Sequence, residues 1–283
     1  MAVKGGIKFL RKRVRSVQNL RKVTRAMKSV SSVRLRKSQP VLYNSLSFIE
    51  DMERILKIYQ GNDVSYEYER SFSLGSGVNK KLYIILGSDK GLCGSFNSNI
   101  IKFTQGKNID GEIWVFGKRL TRFFSKKFNI QPYDDFWYDF SYEKFENIYE
   151  RIQEKIFSGE VSEIFCIYTL FKSVGTQTPS IERIFPVSVH LPWGVKQIIE
   201  PSFEDFSKHF IISYVKARLF FCFQSSITSE HAARMRAMDM ATQNAQRVQK
   251  QLILQMNKAR QEAITKELID IVSGKNAIES QQI

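Results

Sequence analysis

The fold is decided by residues 203–273, which read FEDFSKHFIISYVKARLFFCFQSSITSEHAARMRAMDMATQNAQRVQKQLILQMNKARQEAITKELIDIVS. This stretch contains neither proline nor glycine, and Pro201 precedes it while Gly274 follows it. Proline near the start of a helix and glycine past its end are typical helix boundaries. The sequence therefore predicts one helix, which at 1.5 Å per residue would be on the order of 100 Å long. A helix of that length needs partners outside a single globular domain.

The amino-terminal segment, residues 7–39, also lacks glycine and proline, and apolar residues recur there at steps of three and four. Its predicted seam consists of Ile7, Leu10, Val14, Val17, Leu20, Val23, Met27 and Val30. The predicted seam of the last segment consists of Met235, Met238, Thr242, Ala245, Val248, Leu252, Met256, Ala259 and Ala263. Because this spacing approaches the repeat of a coiled coil, we expect the two helices to pair antiparallel. The alternative is that both seams are core stripes of a helical bundle.

Composition and charge narrow the class of protein. The 283 residues include 43 Lys and Arg against 28 Asp and Glu, a net charge of +15, and no acidic residue precedes Glu50. A helix this basic is stabilised by an electronegative partner or by a polyanion such as nucleic acid. No apolar run predicts a membrane span or a signal peptide. The cysteines Cys93, Cys166 and Cys222 are too few and too scattered to predict disulfides or a metal site.

The middle of the chain alternates between strand and helix patterns. Strands are predicted at 81–86, 112–116, 164–171 and 181–189. Helices are predicted after the turn at 91–99, continuing through Lys102, and at 118–128 and 145–157. This alternation predicts a small, mainly parallel α/β domain, with links at 61–79 and 191–201 to the terminal helices. Pro186 favours an edge position for the last strand.

No group of residues predicts catalysis. The turn at 87–94 follows a strand, where a phosphate-binding loop would lie, but it lacks the Gly-Lys-Ser/Thr order of a P-loop. Cys93 could be a thiolate at a helix start, whereas Ser225 and Ser226 near His231 lack the spacing of a catalytic triad. We expect solvation of the loop acids Asp134, Asp135, Asp139 and Glu143. The sequence thus predicts no catalytic, cofactor or metal residue, and a mechanical or scaffolding role.

Three motifs resemble the gamma subunit of F-type ATP synthases. The first comprises RVRSVQN at 13–19, KVTRAMK at 22–28 and LRKSQ at 35–39. The second is the turn SDKGLCG at 88–94. The third begins with SEHAARM at 229–235 and continues with NKARQ at 257–261, ITKEL at 264–268 and IVSG at 271–274. Because the motifs occur in the family's order, the chain is identified as a member of this family.

The resemblance implies the fold class: α/β, with a long antiparallel coiled coil of the terminal helices and an inserted small Rossmann-like domain. It implies a non-catalytic rotor subunit that transmits rotation between a membrane c ring and a catalytic hexamer of alpha and beta subunits. The inserted domain would contact the c ring and the epsilon subunit. The complex would make or hydrolyse ATP, coupled to ion transport with the proton as the expected ion. The chain itself would bind no cofactor and no nucleic acid.

The resemblance also assigns roles to individual residues. Arg260, Gln261 and Thr265 match a "catch" contact with a beta subunit, and Met27, placed opposite them on the first helix, matches a coupling position together with Lys28. Glu200, in a Glu-Pro pair, matches a foot contact to the c ring. The chain departs from the family at Ile199, where an aromatic residue is usual, and at Pro40, where we expect a kink.

The predicted segments are 1–60 for the amino-terminal coiled-coil helix, 78–195 for the α/β foot domain and 203–283 for the carboxy-terminal helix. The Arg-rich start also resembles a mitochondrial transit peptide, although its helical pattern continues well beyond the usual length of one. We therefore expect a peripheral protein on the cytoplasmic face of a bacterial membrane. The alternative function is a basic coiled-coil protein that binds nucleic acid, because the first 49 residues contain no acid.

Overall fold

The structure, a computed structural model, describes residues 2–59, 80–137, 140–187 and 203–279. The first described element is helix α1 (Ala2–Tyr59) and the last is helix α5 (Phe203–Glu279). The helices between them are α2 (Phe96–Gln105), α3 (Lys118–Phe124) and α4 (Tyr142–Phe157). The strands are β1 (Lys81–Leu86), β2 (Glu112–Phe116), β3 (Ile130–Tyr133), β4 (Glu163–Phe171) and β5 (Gln177–Phe185).

The five strands form one sheet in the order β3-β2-β1-β4-β5. The first four are parallel, and β5 pairs antiparallel with β4. A mainly parallel sheet with this order is the doubly wound arrangement, so the predicted Rossmann-like α/β architecture is confirmed. The edge position predicted for the last strand is also confirmed.

The sheet is buried on both faces because its strands alternate between two cores. Leu82, Ile84 and Leu86 pack with Phe145 of α4 and with the helix segments around Leu42 and Val215. On the opposite face, a second cluster is formed by Tyr83, Ile85, Phe96, Ile100, Leu120 and Phe124, which joins β1 to α2 and α3. Burial on both sides explains why β1 is almost continuously apolar.

Several predicted boundaries differ from the structure. Helix α3 ends at Phe124 rather than at 128, and β5 occupies 177–185 rather than 181–189. Strand β3 was not predicted; it has only four residues, includes Pro132 and is at most half-buried. Helix α1 continues through Pro40. The predicted links at 61–79 and 191–201 lie outside the described residues.

By contacts within the chain, residues 1–30 and 237–283 form one compact unit, and residues 31–236 form another. The described residues of the first unit belong to α1 and α5. The second unit contains the sheet and the helices α2, α3 and α4. It also contains α1 from residue 31 onwards and α5 up to residue 236. The predicted segments 1–60, 78–195 and 203–283 are continuous stretches of sequence, whereas these two units are defined by contacts between residues. The three segments therefore stay a prediction.

Candidate partner-contact surfaces

The terminal helices pair antiparallel in the first unit, as two polar contacts show. The Thr242 hydroxyl donates to the Thr24 hydroxyl at 2.8 Å, and Lys28 Nζ lies 2.6 Å from Asp239 Oδ1. Residue numbers rise along α1 while those of their partners fall along α5. The antiparallel pairing predicted for the two chain ends is therefore confirmed.

The amino-terminal seam follows a different line from the predicted one. Val14 and Thr24 are buried, whereas Leu20 and Val23 are each 55% exposed and Val30 is also exposed. Steps of three residues drift around a helix of 3.6 residues per turn, and three such steps from Val14 reach its opposite side. Arg21 and Thr24 therefore take the places predicted for Leu20 and Val23.

The carboxy-terminal seam was predicted more accurately. Met238, Ala245 and Leu252 are buried in the structure, as expected. Val248 is exposed, and the neighbouring Gln249 is half-buried in its place.

Met27 and Lys28 are both half-buried, and Lys28 forms the ion pair with Asp239. The Thr24–Thr242 contact places Met27 beside the turn at 239–242. Arg260 lies further along α5 by roughly 30 Å at 1.5 Å per residue. The prediction that Met27 lies opposite the residues of the catch contact is therefore wrong. The resemblance alone does not define which residues of the two helices lie side by side.

Arg260, Gln261 and Thr265 are exposed on one stretch of α5. Apolar side chains beside them are exposed as well, including Ile264 at 50% and Leu268 at 57%. Exposed apolar residues in a continuous region often mark a surface for another protein. Glu200, the remaining residue with an assigned partner contact, lies outside the described part of the chain.

The turn at 87–94 has a structural basis in its backbone. A Cβ atom on Gly87 would lie 2.3 Å from the Leu120 side chain, and Gly94 has a φ of +60°. Both positions therefore favour glycine. Ser88 Oγ donates to the Lys90 carbonyl at 2.9 Å and accepts from Asn97 Nδ2 at 2.7 Å. The Ser88 hydroxyl thus stabilises the turn itself.

Asp89 connects the turn to two neighbouring segments. Its Oδ1 accepts hydrogen bonds from the backbone N–H groups of Lys118 and Asp135, both at 3.1 Å. Its Oδ2 accepts from the backbone N–H of Trp137 at 2.9 Å. A carboxylate with three backbone donors is firmly positioned, and it fixes both the start of α3 and the loop that carries Trp137.

Arg234 on α5 holds the other side of the turn. Its Nε donates to the Gly91 carbonyl and its Nη2 to the Lys90 carbonyl, each at 3.2 Å. The same guanidinium forms an ion pair with Glu230, and both side chains are less than a tenth exposed. Sequence reasoning singled out the motif containing Arg234 but not this role, because the contact spans more than 140 residues.

A second, partly buried charge cluster lies in the same unit and was also missed. Arg218 of α5 forms ion pairs with Glu53 of α1 and Glu182 of β5. Tyr214 donates to Glu53 at 3.0 Å, and Tyr168 donates to Glu182 at 3.1 Å. Burial opposes the charged form of Arg218, but its pKa is raised because Glu182 and Tyr214 favour that form more strongly. This Arg218 cluster joins both long helices to the sheet edge.

The cysteine, serine and loop acids that the sequence singled out as candidates for reactivity have contacts typical of structural residues. Cys93 is buried, and burial raises the pKa of its thiol, so the proposed thiolate is not supported. Ser225 donates to the Thr169 carbonyl and accepts from the Phe171 N–H of β4. Asp135 is exposed and forms an ion pair with Lys118. Asp139 lies outside the described residues.

A family model described as ATP synthase matches residues 6–278. A relative from Flavobacterium johnsoniae, named ATP synthase gamma chain, is 33% identical over 285 residues, which cover 96% of this chain and 98% of the relative. The chain belongs to the ATP synthase gamma chain family. Gamma chains from Flavobacterium psychrophilum and Geotalea uraniireducens are 32% and 31% identical, and each match also covers 96% of this chain.

Solved structures have the same fold as this gamma chain. A chain of the Euglena gracilis mitochondrial ATP synthase (OSCP/F1/c-ring) has a TM-score of 0.68 and 18% identity, covering 99% of this chain and 96% of that one. A chain of the Tetrahymena thermophila central stalk and c-ring has a TM-score of 0.57 and 20% identity, covering 77% and 99%. At these identities the likeness supports the fold alone. Within the described residues, no helix of this gamma chain is long and apolar enough to cross a membrane.

Proposed function

We propose that this gamma chain is the central rotor subunit of an F-type ATP synthase, transmitting rotation between a membrane c ring and a hexamer of alpha and beta subunits. The observation that carries the proposal is the antiparallel pairing of the two chain ends, because a shaft needs both ends of the chain side by side. The expected partners are the alpha, beta and epsilon subunits and the c ring. The expected process is ATP synthesis or hydrolysis coupled to proton transport.

Transmission by such a shaft depends on its asymmetry. Rotation biases the catalytic sites only if the shaft contacts each site differently at a given angle. The helix pair has unequal sides, since Leu20, Val23 and Val30 are exposed on α1 while Val14 and Thr24 face the seam. An uneven surface of this kind is suited to favouring a different conformation in each site.

We infer that the chain carries no catalytic group and that the hexamer performs the chemistry. The surroundings of its possible nucleophiles support this inference. Cys93 has a raised thiol pKa, and the Ser225 hydroxyl is bonded to the backbone of β4. We place the protein at the cytoplasmic face of a bacterial membrane, as a peripheral subunit, on the basis of its bacterial relatives.

The partner contacts proposed for single residues follow the family motifs. Arg260, Gln261 and Thr265 would bind a beta subunit, and their exposure supports this role. Met27 and Lys28 would affect coupling through the seam, and Glu200 would contact the c ring. We retain 1–60, 78–195 and 203–283 as the functional segments.

Isolation of the native assembly tests the function. The chain is expected to co-purify with large nucleotide-binding subunits in an active ATPase. Its recovery with nucleic acid and without those subunits would favour the alternative, a basic nucleic-acid-binding protein, for which neither the fold nor the family gives support.

The catch contact is tested by Arg260→Ala combined with Gln261→Ala. A hydrogen bond to a charged group contributes about 1.5–3 kcal/mol, so ATP hydrolysis by the complex should fall roughly tenfold or more. Lys258→Ala is the control, because Lys258 is 80% exposed and lies two residues before Arg260. Equal activity of the double variant and the control would refute the contact.

A further inference from the structure

A cavity of about 290 Å³ lies within the unit formed by residues 31–236. Three segments line it: α1 through Arg34 and Lys37, the loop before α4 through Trp137 and Phe140, and α5 through Glu230 and His231. Its volume is near the lower end of the range for small-molecule sites. No residue of this cavity has an assigned role in the proposed rotor function.

Two aromatic rings, inclined to each other by 37°, give the cavity an apolar wall. The rings of Trp137 and Phe140 lie 5.7 Å apart, and Trp137 also contacts Phe223, with ring centroids 5.5 Å apart. The backbone N–H of Trp137 donates to Asp89 at 2.9 Å. The wall is therefore held in place before any ligand binds, which lowers the entropy lost on binding.

The charge around the cavity favours an anion. Arg34 and Lys37 are exposed, and neither has an ion pair or a hydrogen bond among the residues that the structure describes. The acid in the lining, Glu230, is already paired with Arg234. Neither cation is held in a direct ion pair, although the charge of Arg34 also acts on Glu230, and an incoming negative charge is therefore attracted.

Two buried ring nitrogens in the lining residues also lack partners. Trp137 Nε1 and His231 Nδ1 have no hydrogen-bond partner within the described part of the chain. Burial, together with the charges of Arg234 and Arg34, lowers the pKa of His231 to about 4, so the imidazole is neutral at pH 7. Because an unpaired buried donor costs about 1–3 kcal/mol, a ligand with oxygen acceptors would relieve a cost already present in the fold.

We propose that this cavity binds a small aromatic carboxylate, with its ring against Trp137 and Phe140 and its carboxylate towards Arg34 and Lys37. The site is built by both long helices and by the loop that Asp89 positions. A ligand there contacts α1 and α5 at once. Its binding therefore stabilises the packing of these helix segments in proportion to ligand concentration.

The test uses 4-fluorobenzoate as the probe and ¹⁹F NMR line broadening to measure its binding to the purified complex that contains the full chain. We expect saturable binding with a dissociation constant on the order of 1 mM, as suits a ligand of this size. The neutral isostere 4-fluorobenzamide should bind about tenfold more weakly, and acetate should compete about tenfold more weakly than benzoate.

Variants assign the binding to this cavity. Arg34→Gln combined with Lys37→Gln should weaken 4-fluorobenzoate binding about tenfold, while Arg36→Gln, at an exposed position of the same helix outside the lining, should change it less than twofold. Because these side chains are exposed, the complex should assemble normally. Trp137→Phe, which keeps a ring but removes the N–H donor, should weaken binding several-fold.

Each of four outcomes would overturn the proposal. The first is no saturable binding up to 10-fold above the expected dissociation constant. The second is equal binding of 4-fluorobenzamide, which would remove the role of charge. The third is equal competition by acetate, which would remove the role of the ring. The fourth is an equal loss of 4-fluorobenzoate affinity in Arg36→Gln, which would show that the positive charge of the helix, and not this cavity, determines binding.

Discussion

At the scale of single residues, Arg234 connects parts of the sequence that lie more than 140 residues apart. One guanidinium satisfies two carbonyls of the turn at 87–94 and the buried carboxylate of Glu230. Burial raises the pKa of Glu230, and Arg234 opposes that shift. The ionised form of Glu230 therefore depends mainly on Arg234, with a smaller contribution from Arg34.

Replacing Arg234 with Met should reduce the free energy of unfolding by about 3–5 kcal/mol, because it leaves a buried carboxylate without its counter-charge. Urea denaturation of the full chain measures the change. The double variant Arg234→Met with Glu230→Gln should recover part of the loss. A loss below about 1 kcal/mol in the single variant would show that water replaces the guanidinium.

His231 makes stability depend on pH. Its pKa falls to about 4 in the fold, mainly through burial and also through Arg234 and Arg34. Between that value and the usual 6.5, the unfolded chain binds more protons, so the free energy of unfolding rises with pH. This contribution, about 3 kcal/mol, is complete above pH 6.5 and is lost as the pH falls towards 4. The raised pKa of Glu230 acts in the opposite direction.

The variant His231→Gln should therefore flatten the dependence of unfolding free energy on pH between 7 and 5. Urea titrations at three pH values measure the slope. His209→Gln, at an exposed position of the same helix, is the matched control. An unchanged slope in His231→Gln would assign the pH dependence to other groups.

At the scale of elements, the seam between the terminal helices contains polar residues at buried positions. Thr24 Oγ1 donates to the Arg21 carbonyl at 3.1 Å, and the Thr242 hydroxyl lies within hydrogen-bond distance of both Thr24 and the Met238 carbonyl. These local bonds let hydroxyl groups lie in a packed interface without an unpaired donor. A charge introduced there has no such partner.

The variant Met27→Lys should uncouple ATP hydrolysis from ion pumping more than it impairs assembly. It places a second positive charge beside Lys28 in a half-buried seam. If the new charge changes the free-energy difference between two conformations of a catalytic site by about 1 kcal/mol, the ratio of their populations changes about fivefold. Pumping per ATP in membrane vesicles is the measurement, and Met27→Leu, which keeps an apolar side chain at the same position, is the control. Unchanged pumping per ATP would refute the prediction.

The Arg218 cluster should matter for packing of the second unit. Replacing Arg218 with Met leaves Glu53 and Glu182 without their shared cation, and we expect a loss of about 2–3 kcal/mol of unfolding free energy. Arg54→Met is the control, because its ion pair with Asp51 is exposed and should contribute less than about 0.5 kcal/mol. Equal effects of the two substitutions would contradict this assignment.

Sequence patterns predicted elements better than they predicted contacts. Strands β1 and β2 were placed at their observed ends because each is a short apolar run bounded by glycine or charge. Strand β3 was missed because neighbouring strands, rather than its own composition, define it. Contacts of Arg234 and Arg218 depend on tertiary packing, which leaves no periodic signal in the sequence.

At the scale of the whole molecule, charge is the dominant property. The chain carries +15, and every charged side chain before Glu50 is basic. Such a chain associates with an electronegative partner at a rate raised by long-range attraction, and salt screens that attraction.

Association of the full chain with its hexameric partner should therefore slow by on the order of tenfold between low and high salt. Stopped-flow reconstitution measures the rate. Lys12→Gln with Arg15→Gln should weaken the salt dependence, whereas Lys107→Gln with Lys126→Gln, at exposed positions near the sheet, should not. A rate independent of salt would indicate that attraction does not guide assembly.

The contacts Thr24–Thr242 and Lys28–Asp239 also restrict sliding of one helix along the other. A displacement of one heptad would bring Lys28 opposite Gln246 and Thr24 opposite Gln249, so the ion pair and the hydroxyl contact would both be lost. Polar groups in an otherwise apolar interface fix register in this way at some expense of stability. A drive shaft under torque gains from that arrangement, since twist is then delivered to the far end instead of being dissipated as slippage.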